Sequence, residues 1–315
     1  MSYYSDIILE KYQVRKGKKK KSAFIDFVKT EAEKHGYGVN IEKGSFGARN
    51  IVIGDPEGAK VVYTAHYDTC SRLPVPNFIT PKNFLIYLLY QFLLVGMIFA
   101  VIFAAIKFVP FLLSFIPALK DADVALVKSI VYDVMYIAFI LLLFAGPANK
   151  QTANDNTSGV VTVMELMASM PEEYKNDAAY ILFDYEESGL IGSSAYASKH
   201  KELKKNGKFV NFDCVSDGDT ILFAINKKSS DLKRYIERAY VSKDGFTVDI
   251  PENGDAFYPS DQKSFKNGVG VAALKKTKKG LLYMDRIHTS KDTVFEEKNI
   301  EFLVNGSIEL TRIIE

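Results

Sequence analysis

Apolar residues recur along this chain in two distinct periods. In residues 20–36, "KKSAFIDFVKTEAEKHG", Phe24, Phe27, Val28 and Ala32 fall at helical spacing, and Gly36 predicts the stop. "NIVIG" and "AKVVYTAHYD" are short apolar runs joined by the turn "DPEG", and they predict two strands. Further on, "TSGVVTVMELMASM" predicts a helix, and "AAYILFDYEE", "KFVNFDC" and "TILFAIN" predict strands. "SSDLKRYIERAYVSK" predicts a helix and "GVGVAAL" a strand. The last helix presents Ile300, Leu303, Val304, Ile308 and Ile314 on one face. Such alternation predicts an α/β fold, a mixed, largely parallel central sheet covered by helices on both faces.

One stretch fits neither period. Phe84 to Ile106 is 23 residues without an Asp, Glu, Lys or Arg. As a helix it would be about 34 Å long, enough for a hydrocarbon core of about 30 Å. A second arm, Val124 to Gly146, carries Lys128 and Asp133 in its first half. A lipid-facing Asp costs on the order of 3 kcal/mol at mid-bilayer and less near an interface. Between the arms, "FVPFLLSFIPAL" holds Pro110 and Pro117 and predicts an apolar loop or interfacial piece. The expected organisation is one globular domain, residues 1–80 and 148–315, interrupted by an inserted apolar helical hairpin, residues 81–147.

Composition changes this picture little. The 315 residues carry a formal charge of +2, which offers no global field for nucleic acid. The local exception, "RKGKKKK" from Arg15 to Lys21, predicts a solvated helix start, or else attraction to anionic headgroups. Cys70 and Cys214 are too few for a disulfide scaffold. The N-terminus lacks a basic-then-apolar signal pattern, so a cytosolic start is expected.

Candidate chemistry gathers where the strands end, as expected of sites in such sheets. "KVVYTA" runs into His66, Tyr67 and Asp68, "ILFDY" into Glu186 and Glu187, and "FVNF" into Asp213. "ANDNTSG" around Asp155 and "RIHTSKD" with His288 are two further polar clusters. Adjacent carboxylates at the mouth of a buried sheet repel each other, and burial penalises both. Divalent cations relieve that cost, and zinc accepts carboxylate oxygen and imidazole nitrogen alike.

In order and style, "AHYD", "ANDNTSG", "FDYEESGLIGS", "NFDCVSDGD", "SDQKSF" and "IHTSKDT" resemble the co-catalytic zinc aminopeptidases of clan MH. That clan includes bacterial leucine aminopeptidase, glutamate carboxypeptidase II and the glutaminyl cyclases. The resemblance covers residues 45–300 apart from the insert. It implies two Zn2+, with His66 and Asp213 on one, Glu187 and His288 on the other, and Asp155 bridging. It implies Glu186 as general base and Asp68 as the residue that orients His66, with Asp292 expected in a similar place near His288. The implied activity is a metal-dependent exopeptidase, most simply an aminopeptidase acting on short peptides. The alternatives are a single-zinc, glutaminyl-cyclase-like aminoacyl transferase and a catalytically silent receptor or scaffold.

Other residues carry plainer expectations. His35 and His200 read as solvated, Cys70 and Cys214 as small buried residues, and Asp184 and Asp261 as structural. Asp217 is an alternative to Asp213, which directly ends its strand. Gln262 stands where the family often has histidine, which touches substrate recognition. The insert separates His66 from Asp155, which must meet at one site, so any membrane crossings are even in number. Arg72, Lys82 and Lys150 flank the hairpin and favour a membrane-anchored protein with a cytoplasmic catalytic domain and an outward loop at Lys120, Asp121 and Asp123. A soluble protein using the helical pair as lid or dimer interface is the alternative.

Overall fold

The computed structural model describes residues 2–119, 123–229, 231–242 and 245–315; Lys120 and Asp121 of the expected outward loop lie outside them. The chain forms two compact units, Met1–Asn83 with Ala148–Glu315, and Phe84–Pro147.

In the larger unit, helices α1 (Tyr3–Lys11) and α2 (Lys18–Lys34) precede strands β1 (Val39–Lys43), β2 (Arg49–Ile53) and β3 (Val61–His66). Gly36, just past α2, has φ +82°, the left-handed conformation for which glycine is suited at a helix stop. The smaller unit supplies α3 (Phe84–Leu113) and α4 (Val124–Ala145). The larger unit resumes with α5 (Gly159–Ser169), β4 (Ala178–Phe183), α6 (Ile191–Lys199), α7 (Lys201–Asn206), β5 (Lys208–Phe212) and β6 (Thr220–Ile225). It ends with α8 (Leu232–Ala239), β7 (Thr247–Asp249), β8 (Asn267–Lys276), β9 (Leu282–Tyr283) and α9 (Glu297–Ile313).

The sheet order is β1-β2-β4-β3-β5-β8-β6-β7, with β9 on β8. Its centre, β4-β3-β5-β8, is parallel, and β2 and β6 run antiparallel to it on either side. The strands flanking "DPEG" are therefore not neighbours: β4 lies between β2 and β3. The crossover through α5 returns the chain parallel to β3, which takes β3's edge before β2 can.

Strand alternation feeds two cores. Tyr63, Tyr180 and Val210 face α2, α5 and α9, meeting Phe24, Val163 and Leu303. Their neighbours Val62, Ile181 and Phe209 face α6 and α7, meeting Tyr196 and Leu203. Both sheet faces are covered, so the central strands are apolar on both sides. In register, His66 stands opposite Phe183 and Thr64 opposite Asn211, which levels the carboxyl ends of β3, β4 and β5.

The smaller unit is a pair of packed helices, α3 of 30 residues and α4 of 22, or about 45 Å and 33 Å long. Leu89, Phe92, Phe99 and Phe103 of α3 and Leu126, Ile130, Ile137 and Leu141 of α4 are exposed. A helix that is apolar around its whole girth has no aqueous face. Contrary to expectation, α3 does not stop near Ile106 but continues through Pro110 to Leu113. A proline one turn from a helix end forfeits only one main-chain bond, and apolar helices tolerate that loss. Asp123 caps α4, its carboxylate accepting from the Ala125 and Leu126 amides at 2.8 and 3.3 Å.

Candidate metal centre

The level strand ends present three of the polar clusters together. His66 is the last residue of β3, Asp213 follows β5, and Glu186 and Glu187 lie in the turn after β4. Asp155 sits in the irregular turn Ala153–Ser158 that opens into α5, and its peptide with Asn156 is cis. Tyr185, Cys214 and His288, each beside or at a candidate donor, have φ of 55°, 59° and 64°. Left-handed backbone at non-glycine residues costs on the order of 1–3 kcal/mol each and persists only where surrounding structure enforces it.

Around Cys214 and Asp155, two asparagines and Asp292 hold the main chain. Asn156 Oδ1 accepts from the Gly159 and Cys214 amides, and Asn156 Nδ2 donates to the Phe212 carbonyl at 2.9 Å. Gly159 has no room for a side chain, since a Cβ would stand 2.2 Å from the Phe212 oxygen. Asn154 Oδ1 accepts from the Ser216 and Asp217 amides. Asp292 accepts from the Asn154 and Asp155 amides at 2.8 and 3.0 Å. Asp292, expected near His288 and subject to its charge, holds the main chain that carries Asp155.

The donors converge in two groups. His66 Nε2 lies 3.4 Å from Asp155 Oδ1 and 3.4 Å from Asp213 Oδ1. His288 Nε2 lies 3.1 Å from Asp155 Oδ2 and 3.2 Å from Glu187 Oε2. Nitrogen and oxygen donors about 2.1 Å from a tetrahedral zinc stand about 3.4 Å from one another, so both groups have the right spacing to hold an ion each. Asp155 turns one oxygen to each group. Among the described residues, Glu187 Oε1 is buried without a hydrogen-bond partner, as suits an oxygen that would meet a cation. A Glu186 oxygen lies within 4.8 Å of donor atoms of His66 and Glu187.

Second contacts fix orientation. His66 Nδ1 stands 3.1 Å from the Asp68 main-chain oxygen, which can only accept, so Nδ1 carries the proton and Nε2 faces the carboxylates. The Asp68 carboxylate, 3.7 Å from His66 Nδ1, accepts instead from the Glu186 amide at 3.0 Å. Asp68 therefore steers His66 through its backbone and Glu186 through its side chain.

Burial pushes Glu186 well above the usual carboxylate range; His66 opposes, while Asp213, Glu187 and Asp261 add to the rise. Burial would lower His66, but the negative charges of Glu186, Asp155, Asp213 and Asp68 raise it well above its ordinary value. His288 is raised the same way against burial, by Glu187 and Asp155. Asp155 is held below its ordinary range: burial opposes, and the two imidazoles prevail. The pocket concentrates negative charge, which suits cations.

Residues outside the two groups have other partners. Asp217 pairs with Arg286 at 3.3 Å and Lys275 at 3.6 Å, whereas Asp213 faces His66. Asp184 forms a buried ion pair with Lys21 and accepts from the Arg49 amide. Gln262 is fully buried, donating to the Tyr258 carbonyl and accepting from Asn211. Asp261 is also fully buried, and burial raises it to about 7 against the opposing pull of His66 and Ser193. His35 meets the Tyr4 hydroxyl, and His200 lies between Glu42 and Glu57.

Three residues went unrecognised in the sequence. The basic run is not a solvated helix start throughout, because Arg15 and Lys21 are buried. Arg15 donates to the Tyr67 and Tyr12 carbonyls and to Thr157, bracing the loops of His66 and Asp155. Lys21 lies 3.7 Å over the Tyr185 ring as well as on Asp184, bracing the glutamate turn. A run of identical charges gives no sign of which member turns inward. Cys70 is buried as expected, yet its sulfur lies within 4.8 Å of donor atoms of Asp155, Glu187 and His288.

Peptidase family M28 matches residues 132–305, more than half of the chain. The chain belongs to peptidase family M28. His66 and Asp68 precede the matched residues, so their place in the centre rests on the fold. No curated protein matches the sequence. Among solved structures, the LapA aminopeptidase of Legionella pneumophila is similar at TM-score 0.58 and 14% identity, covering 99% of this chain and 70% of that one. A glutaminyl cyclase of Bacteroides thetaiotaomicron bound to N-acetylhistamine gives 0.56 and 14%, covering 99% and 96%. A Zn-dependent exopeptidase of Parabacteroides distasonis gives 0.57 and 14%, covering 98% and 95%. At such identities the likeness is one of fold. Family and fold together support a metal-dependent, peptidase-like function and the use of zinc for this M28 member.

Proposed function

We propose that the chain is a membrane-anchored dinuclear zinc exopeptidase, an aminopeptidase acting on short peptides. The observation that carries this reading is the division of Asp155, with Oδ1 toward His66 and Oδ2 toward His288. Each oxygen thus joins a separate group of three donors spaced for an ion, which supports two positions. In this reading His66 and Asp213 would hold one ion, Glu187 and His288 the other, and Asp155 would serve both. When bound, zinc supplies Lewis acidity toward the scissile carbonyl and toward water. Glu186 takes the proton from the attacking water and, once protonated, delivers it to the leaving amine. Asp68 holds the Glu186 main chain and the His66 ring, and Asp292 holds Asp155, so that none of the reacting groups must reorganise.

Purified protein is expected to bind two zinc ions per chain and to cleave aminoacyl chromophores and dipeptides. Chelation should abolish the activity and added zinc restore it. One tightly bound zinc per chain, with cyclisation of N-terminal glutamine in place of cleavage, would overturn this in favour of a glutaminyl-cyclase-like enzyme.

The hairpin is read as a two-helix membrane anchor. Both its ends return to the same compact unit, so its crossings are even, and Arg72, Lys82 and Lys150 beside it favour a cytoplasmic catalytic domain. In fractionation, the protein should stay with the membrane through high salt and carbonate and leave only with detergent. Release by carbonate alone would exclude a spanning hairpin and favour a lid or dimer contact.

A further inference from the structure

We infer that Cys70 is a fourth protein donor at the Glu187–His288 position, which makes the two halves of the centre unequal. The inference rests on the dinuclear reading and extends it to a residue that the family pattern does not use.

The spacing of the donors admits a shared ion. The Cys70 sulfur, one oxygen each of Asp155 and Glu187, and a ring nitrogen of His288 all lie within 4.8 Å of one another. Around one tetrahedral zinc, sulfur at about 2.3 Å and nitrogen or oxygen at about 2.1 Å would stand roughly 3.3–3.7 Å apart, inside that limit. The backbone holds Cys70 there from both sides. Its carbonyl accepts from the Asn149 amide at 3.1 Å, and the Asn149 side chain donates to the Thr289 carbonyl at 3.0 Å. Three residues on, the Leu73 amide donates to the His288 carbonyl at 2.8 Å. The loops of Cys70 and His288 are thus stitched together, which fixes the main chain from which the thiol projects.

The other half has no equivalent. Cys214 lies beside Asp213 and donates from sulfur to Asp213 Oδ1 at 3.2 Å, but among the described residues its sulfur is not part of the group formed by His66, Asp155 and Asp213. Four protein donors close a zinc position, whereas three leave one open. The ion at Glu187–His288 is therefore the retained one, with a soft thiolate that favours zinc over magnesium or calcium. The ion at His66–Asp213 is the exchangeable one with room for substrate. Loading the thiol position sends one proton from the Cys70 sulfur to solvent.

The test uses full-length protein in detergent, stripped with a chelator and reloaded with cobalt or zinc. Cobalt protein should show a near-ultraviolet sulfur-to-cobalt charge-transfer band that Cys70→Ser loses and Cys214→Ser keeps. X-ray absorption of the zinc protein should show a sulfur neighbour at about 2.3 Å. Graded chelation should remove one ion well before the other from wild type, and both together from Cys70→Ser. Should Cys70→Ser fail to fold, zinc is expected to slow alkylation of Cys70 in the Cys214→Ser background. Two bound ions with no sulfur signal, a band that depends on Cys214, or alkylation indifferent to zinc would each overturn the inference and leave the dinuclear reading standing. A protein that binds no metal would overturn both.

Discussion

Glu186→Gln is expected to lower kcat by about 10²- to 10⁴-fold while leaving metal content and folding unchanged. The substitution keeps the shape and the main-chain amide that donates to Asp68, and it removes only the capacity to take a proton. Burial and the neighbouring carboxylates hold Glu186 above the usual carboxylate range, toward the region where a base works best near neutrality. Retained turnover would refute its role as the base. Loss of metal together with activity would instead make Glu186 a donor, a role open to it by its nearness to His66 and Glu187. Metal analysis beside steady-state kinetics separates these outcomes.

Asp155→Asn should do the reverse and empty the centre. Each oxygen of Asp155 serves a different histidine, so one substitution weakens both ion positions. Losing a partner that merely supports a ligand typically costs 10–100-fold in metal affinity, and losing the shared ligand is expected to cost more than about 100-fold. Zinc per chain should fall from two toward none, with activity falling in parallel. The buried turn keeps its anchor, because Asp292 grips the main chain rather than the side chain of Asp155. A variant that keeps one ion at full affinity would show that the two positions do not share this residue.

Asp155 and His288 are legible through motif resemblance, and the other candidate donors through the strands that place them. His66 and Asp213 sit at or one residue beyond a strand end, and Glu186 and Glu187 follow β4 within a short turn, so strand register carries them to one level. Position along a strand is a local property, and apolar runs reveal it. Cys70, Arg15 and Lys21 are different. Cys70 reaches the Glu187–His288 group only because the loop after Asp68 is sewn to Asn149 and His288, contacts made with distant residues. Arg15 and Lys21 are chosen from a basic run by what they meet, the Tyr67 carbonyl and the Asp184 carboxylate. Helix α3 outran its predicted end because Pro110, one turn from the helix end, forfeits a single main-chain bond, a cost too small to stop the helix.

At the foot of the hairpin, Ser71 bridges Ala148 and Cys70 accepts from Asn149. To the sheet, everything between those residues is a closed detour. The entropy of closing a loop grows only with the logarithm of its length, so three doublings add about 2 kcal/mol. Strand pairing therefore tolerates so large an appendage at a small entropic cost.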